Sequence, residues 1–260
     1  MYWDQLTSTR IDALDKQIPV LLNIAAIEQH GAHLPVATDR LIGEYFSGLL
    51  NKEIGDKVLI LPIVAVGCSD HHMGFSGTLS LSHDTFAAVV KDIIQSVLHH
   101  GFYNIILLNS HGGNQGIMQV IVEQLGSANP GLQIIGATWW NVAKEELLRI
   151  TETGPGGTGH ACEFETSLIK VIAPQLIQES QIKQGANVLA FPLADGDMLF
   201  GPKVSFYRTM KEMTPNGVFG NPVKSSAEKG VRIGACVTAA LKQLVMDMYK
   251  LKDRKFIEEV

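Results

Sequence analysis

The sequence predicts an α/β fold in which helices cover a mostly parallel sheet. Short apolar runs of strand length alternate with stretches of helical periodicity along the chain. The predicted strands are apolar on both faces, which is typical of parallel strands buried between helices. The 260 residues suffice for one full hydrophobic core, and no linker rich in Ser, Gly or Pro divides them, so we expect one domain over residues 1–260.

These patterns give the elements in chain order. Strands are predicted over residues 19–27, 58–64, 104–109 and 132–137. Helices are predicted over residues 41–50, 84–100, 114–125, 163–171 and from 226 to about 251. The helix over 84–100 has an apolar face formed by Phe86, Val89, Val90, Ile93, Ile94 and Val97. Loops at the carboxyl ends of parallel strands are the usual place for a functional site.

Composition and charge argue against several classes of protein. Hydrophobic residues make up 46% of the chain without a low-complexity tract, which indicates a folded protein. A net charge of −5 without a Lys/Arg cluster argues against nucleic-acid binding. The apolar runs are of strand length or broken by charges and the N-terminus lacks signal-peptide features, so we expect no membrane span. Three cysteines without metal-site spacing indicate reduced thiols in a cytoplasmic protein.

The most informative motif follows the first predicted strand. Glu28 and His30 come directly after a very apolar run, and Asp39 opens the next helix. A buried carboxylate there is costly unless something compensates its charge. If the strand geometry continues, Glu28 and His30 point to the same side. Asp39 alone fits a helix cap, but the three residues together favour two cations bridged by Asp39. We interpret the nearby His33 as a residue that orders the loop.

A second motif, residues 109–114, lies between a buried strand and a helix. His111 is well placed there to bind a metal or a substrate. Gly112 and Gly113 allow the backbone to approach a ligand closely and expose helix-start amides to an anion. The alternative is a tight strand–helix turn with an incidental histidine. The glycine spacing does not match a dinucleotide-binding loop.

A third motif, residues 159–167, follows a glycine-rich loop. If His160 lies in a helix, it shares a face with Glu163, whereas Glu165 points elsewhere. We therefore do not expect both carboxylates to bind the same ion directly. The alternative is that Glu163 and Glu165 are favourable first-turn charges facing the helix dipole.

A fourth motif, residues 67–78, contains Ser69, His71 and His72. We interpret it as a polar loop that lines the pocket rather than as a metal site, with Ser69 as a candidate substrate contact. No G-x-S-x-G elbow is present, so nothing indicates a serine nucleophile.

Together these motifs resemble those of the creatininase (creatinine amidohydrolase) family, and they occur in order across most of the chain. The resemblance rests on Glu28-Gln29-His30-Gly31 with Thr38-Asp39, Ser69-Asp70-His71-His72, Phe75-Ser76-Gly77-Thr78, His111-Gly112-Gly113-Asn114 and His160-Ala161-Cys162-Glu163-Phe164-Glu165-Thr166-Ser167. It implies a three-layer α/β/α sandwich with a mostly parallel central sheet. It also implies a binuclear zinc or manganese centre, hydrolysis of non-peptide C–N bonds, and a homo-oligomer, which is a hexamer in the best-known members.

The resemblance implies a metal role for four residues. It makes Glu28 and His111 ligands of one metal and His30 a ligand of the other, with Asp39 as the bridge.

The fifth ligand departs from the pattern of the creatinine-hydrolysing members. Those members have a glutamate two residues after the second-motif histidine, preceded by a tyrosine that touches substrate, where this chain has Gly113 and Gly112. We predict that Glu163 replaces the glutamate. Glu165 is the runner-up, or a carboxylate that orients a ligand.

The tryptophan-bearing lid of those members corresponds to residues 154–159, which contain no tryptophan. Trp139 and Trp140 are predicted to line the pocket instead. The alternative is that one of them is core.

The functional hypothesis is a hydrolase that cleaves a small amide, formamide or cyclic amide with a metal-activated water, using zinc, manganese or both, or iron. His160 is predicted to shuttle the proton, with Glu165 beside it. One alternative is another reaction class, such as phosphoester cleavage or a lyase step, although Arg40 is the main basic residue near the motifs. The other alternative is a non-catalytic, metal-stabilised binding protein.

Overall fold

Four parallel strands form the central sheet of the structure, a computed structural model that describes residues 1–251. They are β1 (Val20–Ile24), β2 (Leu59–Ile60), β3 (Asn104–Asn109) and β4 (Gln133–Thr138), in the spatial order β2–β1–β3–β4. Strands β5 (Thr158–His160) and β6 (Phe219–Gly220) form a separate antiparallel pair. Residues 252–260 of the predicted domain lie outside the described residues, so its extent stays a prediction.

Helices pack on both sides of the central sheet. They are α1 (Ser8–Asp12), α2 (Thr38–Ile54), α3 (His83–His99), α4 (Gln115–Ala128), α5 (Trp139–Val142), α6 (Lys144–Ile150), α7 (Glu163–Ile172), α8 (Met210–Met213) and α9 (Ala227–Lys250). Single 3₁₀ turns at Asp70–His72 and Gly112–Asn114 carry motif residues. No helix of the described part combines the length and the apolarity that crossing a bilayer requires.

Each face of the sheet has its own hydrophobic core. Ile106 of β3 belongs to the core shared with α2, α7 and α9, whereas Ile105 belongs to the core shared with α3 and α4. Successive side chains of a strand point to opposite faces, so one apolar run supplies both cores. This arrangement confirms the three-layer α/β/α sandwich with a mostly parallel central sheet.

The observed elements differ from the predicted ones mainly at their ends. Residues 58–64 are regular only at Leu59–Ile60, because Pro62 has no N–H to donate to a ladder. The helix predicted over 41–50 begins earlier, at Thr38, and this places Asp39 in its first turn. His160 lies in β5 rather than in a helix, so the predicted helical face shared with Glu163 does not exist.

Strand register determines where the motifs meet. Ile24 of β1 lies opposite Asn109 of β3, and Asn109 lies opposite Thr138 of β4. The three strands therefore end at one edge of the sheet, and the segments that follow them start side by side.

Candidate metal centre

A buried polar cluster occupies this carboxyl edge of the sheet. Glu28 and His30 follow β1, His111 follows β3, and Asp39 comes from the first turn of α2. Their exposed fractions are between 0% and 3%. The structure thus brings together the four side chains that the sequence predicts as metal ligands.

Asp39 lies between two sets of donor atoms. Its Oδ1 is 3.2 Å from His30 Nε2, and its Oδ2 is 3.1 Å from His111 Nδ1. Glu28 Oε1 lies 3.3 Å from the same nitrogen of His111. Glu165 Oε1 lies 3.6 Å from His30 Nε2. One set therefore consists of Glu28, Asp39 and His111, and the other of His30, Asp39 and Glu165.

Three atoms of this cluster are buried without a hydrogen-bond partner. They are Glu28 Oε2, His30 Nε2 and Asp39 Oδ2. An unsatisfied buried polar atom costs about 1–3 kcal/mol, and more when it is charged. Carboxylate oxygens and imidazole nitrogens converging at these distances are suitable ligands for divalent cations. The residues present therefore fit a metal centre.

Hydrogen bonds on the far side of each imidazole orient the ligand nitrogens. His30 Nδ1 lies 3.1 Å from the carbonyl oxygen of Glu28, and His111 Nε2 lies 3.0 Å from that of Cys68. A carbonyl oxygen only accepts, so these nitrogens carry the protons. In the neutral rings, the lone pairs of His30 Nε2 and His111 Nδ1 then point at Asp39.

Burial and neighbouring charges shift the pKa values strongly within the cluster. Burial alone would lower the pKa of His30, but Asp39 and Glu165 raise it well above its usual value. Burial is likewise outweighed at His111, where Glu28 and Asp39 raise the pKa. Burial dominates at Glu28 and raises its pKa, whereas His30 and His111 overcome burial at Asp39 and lower its pKa to about 2. The cluster therefore favours positive charge, which protons on His30 and His111 or bound divalent cations can supply.

The structure corrects the prediction for the fifth ligand. The buried Glu163 carboxylate accepts hydrogen bonds at 2.5–3.2 Å from Thr151 Oγ1, Thr153 Oγ1, the Glu152 amide and Lys229 Nζ. Because both of its oxygens are used in this way, Glu163 fastens the 151–153 loop to α7 and α9. Glu165 is the carboxylate that faces His30 instead.

The start of α7 explains why the two glutamates separate. Ala161 has a φ of 51°, and Cys162 is the N-cap residue of the helix. Glu165 occupies the third helical position, where its Oε2 accepts a hydrogen bond from the Cys162 amide at 3.3 Å. This capping contact turns its Oε1 towards His30.

Three more histidines surround the cluster. His160 Nδ1 lies 3.5 Å from Glu28 Oε1, and His72 Nε2 lies 3.5 Å from Glu28 Oε2. His71 stacks on His111 with ring centroids 5.9 Å apart. All three line the same cavity, in agreement with the interpretation of the 67–78 loop. The buried His33 hydrogen-bonds Thr166 Oγ1 at 3.0 Å and lies outside the cavity lining.

The predicted substrate contacts divide into two groups. Gly112 and Gly113 line the cavity. Ser69 is fully buried, and its hydroxyl lies 3.2 Å from His111 Nε2, so it supports a ligand rather than facing the cavity. Trp139 and Trp140 both belong to the hydrophobic core, at 1% and 5% exposed, but only Trp140 also lines the cavity. The assignments of Ser69 and Trp139 as substrate contacts are therefore corrected.

The cavity above the cluster has a volume of about 480 Å³. Its outer wall comes largely from residues 187–213, none of which was predicted to be a site residue. Polar and charged side chains of that wall include Lys144, Asn187, Asp195 and Arg208. These residues lie mostly in irregular chain without periodicity, so no sequence pattern points to them.

The sequence is similar to proteins of known family. A family model described as creatinine amidohydrolase matches residues 4–245. The mycofactocin precursor peptide peptidase of Mycolicibacterium smegmatis is 28% identical over 229 residues, covering 85% of this chain and 82% of that protein. The creatinine amidohydrolase of Pseudomonas putida is 26% identical over 178 residues, 63% of this chain and 67% of that protein. The 3-dehydro-scyllo-inosose hydrolase of Thermotoga maritima is 25% identical over 269 residues, covering 95% and 83%.

Solved structures share the fold. A creatininase crystal structure superposes with a TM-score of 0.77 at 22% identity, covering 95% of this chain and 97% of that one. A manganese creatininase structure gives 0.77 at 22% identity, with 95% and 98% covered. A zinc form of a creatininase variant gives 0.78 at 22% identity with the same coverage. The likeness extends over nearly the whole described chain.

Proposed function

Because this chain belongs to the creatininase family, we propose that it is a metal-dependent amidohydrolase that cleaves a C–N bond with an activated water. The observation that carries the proposal is the position of Asp39. One buried carboxylate reaches two imidazole nitrogens, one with each oxygen, and each nitrogen faces a further carboxylate. Such sharing suits a pair of cations.

The proposed ligands form two sites that share Asp39. Glu28 and His111 would hold one ion, and His30 and Glu165 the other. Zinc, manganese or both are the proposed metals, with iron as an alternative, because mixed carboxylate and imidazole donors suit all three. Zinc and manganese forms of creatininase, which share this fold, support that choice.

Bound divalent cations would supply Lewis acidity and lower the pKa of a water towards about 7. His160 lies beside them as the proposed proton carrier. Burial first, and then the neighbouring His30 and His72, hold the pKa of His160 well below its usual value, so its ring is neutral at pH 7. Its Nδ1 faces Glu28 at 3.5 Å and can accept a proton there and pass it to the leaving nitrogen.

The proposed substrates are small amides, formamides or cyclic amides. A second candidate is the amide bond of a peptide. The cavity volume of about 480 Å³ lies within the range of about 300–1,000 Å³ that is typical of pockets for drug-sized ligands. The cavity is therefore larger than a five-membered ring requires and has room for part of a peptide. Relatives that are peptide peptidases support this second candidate. A phosphoester is less well supported, because Arg40 pairs with Glu44 at 2.7 Å on the surface and the guanidinium of Arg208 donates to the backbone oxygens of Val188 and Glu212. Lys144 is then the basic side chain of the cavity lining that could face a phosphate.

A homo-oligomer, with the hexamer as the expected form, is proposed as the functional state. Eight exposed large hydrophobic side chains fall within residues 188–207, namely Val188, Leu189, Phe191, Leu193, Phe200, Val204, Phe206 and Tyr207. Monomers rarely expose such a concentration of apolar surface. Sedimentation of the wild type and of Phe191→Asp tests this, since an unchanged monomer in both contradicts the proposal. We also retain the cytoplasm as the proposed location, because all three cysteines are free thiols.

The proposed activity is tested with metal-free protein reconstituted with zinc or manganese. The substrate panel comprises creatinine, an N-formyl compound, cyclic amides, short peptides and a phosphoester. We expect metal-dependent release of amine from at least one amide. Two results would contradict the proposal. One is turnover of the phosphoester alone, and the other is tight metal binding with neither an exchangeable water at the metal nor turnover of any substrate.

A further inference from the structure

Two buried histidines, whose ring centroids lie 4.5 Å apart, face the two oxygens of the same carboxylate and are not in the proposed ligand set. His72 Nε2 lies 3.5 Å from Glu28 Oε2, and His160 Nδ1 lies 3.5 Å from Glu28 Oε1. By spacing alone, these three residues could hold a cation. Whether they do depends on which ring nitrogens carry protons, because only a bare nitrogen can bind a metal.

The side-chain amide of Gln29 has one possible orientation. Gln29 is 4% exposed, and the backbone N–H of Gly31 lies 2.9 Å from its Oε1. An N–H can only donate, so the atom that faces it must be the amide oxygen. The amide nitrogen of Gln29 then faces His72 Nδ1 at 3.0 Å.

This orientation determines the protonation of both rings. The amide nitrogen only donates, so His72 Nδ1 must accept; the neutral ring then carries its proton on Nε2, towards Glu28. On the other ring, His160 Nε2 lies 3.2 Å from the amide nitrogen of Gln29 and closer, at 2.6 Å, to the backbone oxygen of Gln29, which only accepts. His160 Nε2 therefore carries the proton, and its Nδ1 faces Glu28 bare.

We propose that Gln29 is a positioning residue that fixes opposite tautomers in His72 and His160, so that His72 directs an N–H at Glu28 and is not a metal ligand. With Nε2–H directed at Oε2, the other oxygen of Glu28 is free to face His111 Nδ1 at 3.3 Å. His160 keeps the bare nitrogen that a proton carrier needs. The catalytic consequence rests on the proposed hydrolase function, whereas the tautomers do not.

The tautomers can be read directly from long-range ¹H–¹⁵N correlation spectra of the zinc-loaded protein, which is diamagnetic. His72→Gln and His160→Gln variants assign the two rings. We expect a protonated Nε2 and a bare, metal-free Nδ1 in His72. A bare Nε2 in His72, or a zinc-shifted one, overturns the proposal even in a protein that hydrolyses nothing. A zinc-loaded protein with the expected tautomers but no activity refutes the hydrolase function alone.

Gln29→Glu reverses the polarity of the contact, because a carboxylate only accepts. We expect the His72 proton to move to Nδ1, while His160 keeps its tautomer because it binds backbone. Gln115→Glu adds the same charge to the cavity lining and should leave His72 unchanged. An unchanged His72 tautomer in Gln29→Glu contradicts the role of Gln29. If Gln29→Glu does not fold, the wild-type spectrum alone still decides the tautomer of His72.

Metal content and kinetics separate a donor from a ligand. A glutamine at position 72 retains an N–H near the position of Nε2, whereas leucine does not. We expect both variants to keep the wild-type metal content, with a lower kcat/KM in His72→Leu than in His72→Gln, because only glutamine keeps an N–H that can face the Glu28 carboxylate. Loss of metal from both variants overturns the proposal.

Discussion

Asp39→Asn is the substitution that probes the shared carboxylate most directly. Aspartate and asparagine have nearly the same shape, but the substitution removes the negative charge that faces His30 at 3.2 Å and His111 at 3.1 Å. Each decade of rate corresponds to about 1.36 kcal/mol, so the loss of about 4 kcal/mol of transition-state stabilisation predicts a fall of about a thousandfold in kcat/KM. At least one metal ion per chain should be lost.

The assay combines elemental analysis with kcat/KM on the best amide of the panel, after reconstitution and removal of free metal. Asp84→Asn is the matched control, because Asp84 also lies in the first turn of a long helix but is exposed and outside the cavity. It should retain metal and rate. Full metal content in Asp39→Asn with a rate within tenfold of the wild type would refute the bridging role.

Three further predictions follow from neighbouring geometry. Glu165→Gln should lose metal and activity. Glu163→Gln should keep its metal, but its free energy of unfolding, measured by urea denaturation, should fall by about 3–5 kcal/mol because a buried ion pair with Lys229 is broken. The reverse pattern would indicate that Glu163 is the ligand. Gly113→Ala should lose metal, because a Cβ there would lie 2.2 Å from the backbone oxygen of Cys68. Gly112→Ala should keep its metal, because a Cβ there would have no atom within 4 Å. Equal metal content in the two variants would contradict this prediction. In the metal-free protein, His30 and His111 have raised pKa values, so their protonated forms stabilise the fold fully below about pH 6.5. This contribution is lost as the pH rises through the raised pKa values. With chelator present, the Tm should therefore fall as the pH rises from about 6.5 to 8.5. Bound metal should reverse this trend, because deprotonated ligands bind metal more tightly. Parallel curves of Tm against pH with and without metal would contradict this prediction.

The fold could be predicted largely because a buried parallel sheet requires apolar strands and amphipathic helices, and both patterns are visible in the chain. The meeting of Glu28, His30, Asp39 and His111 was predictable for a related reason. A carboxylate or imidazole placed directly after a buried strand must end at the carboxyl edge of the sheet, so residues distant in sequence meet there.

The fifth ligand could not be predicted in this way. The choice of Glu163 over Glu165 assumed that His160 continues the helix, whereas His160 lies in β5 and the left-handed Ala161 separates the two elements. A single backbone dihedral therefore decides which glutamate faces the cluster. Lys229, some sixty residues later, provides the charge that occupies Glu163, and nothing local to the motif indicates it.

The position of Trp139 and the composition of the cavity wall could not be predicted for a similar reason. Which of the two buried tryptophans, Trp139 and Trp140, also reaches the cavity depends on the rotation of the short α5 helix against α2, where Trp139 packs on Phe46. Residues 187–213 form much of the cavity wall through irregular chain, and their placement depends on contacts such as that between Asp197 and the Gly156 amide. Contacts of this kind leave no periodic pattern in a sequence.

The central claim is that one aspartate is shared by two cations, and anomalous diffraction from crystals of the zinc- or manganese-loaded protein tests it most directly. We predict two anomalous peaks on either side of Asp39, one bounded by Glu28 and His111 and the other by His30 and Glu165. A single peak, or a second peak held by Glu163 or by His72, would contradict the account.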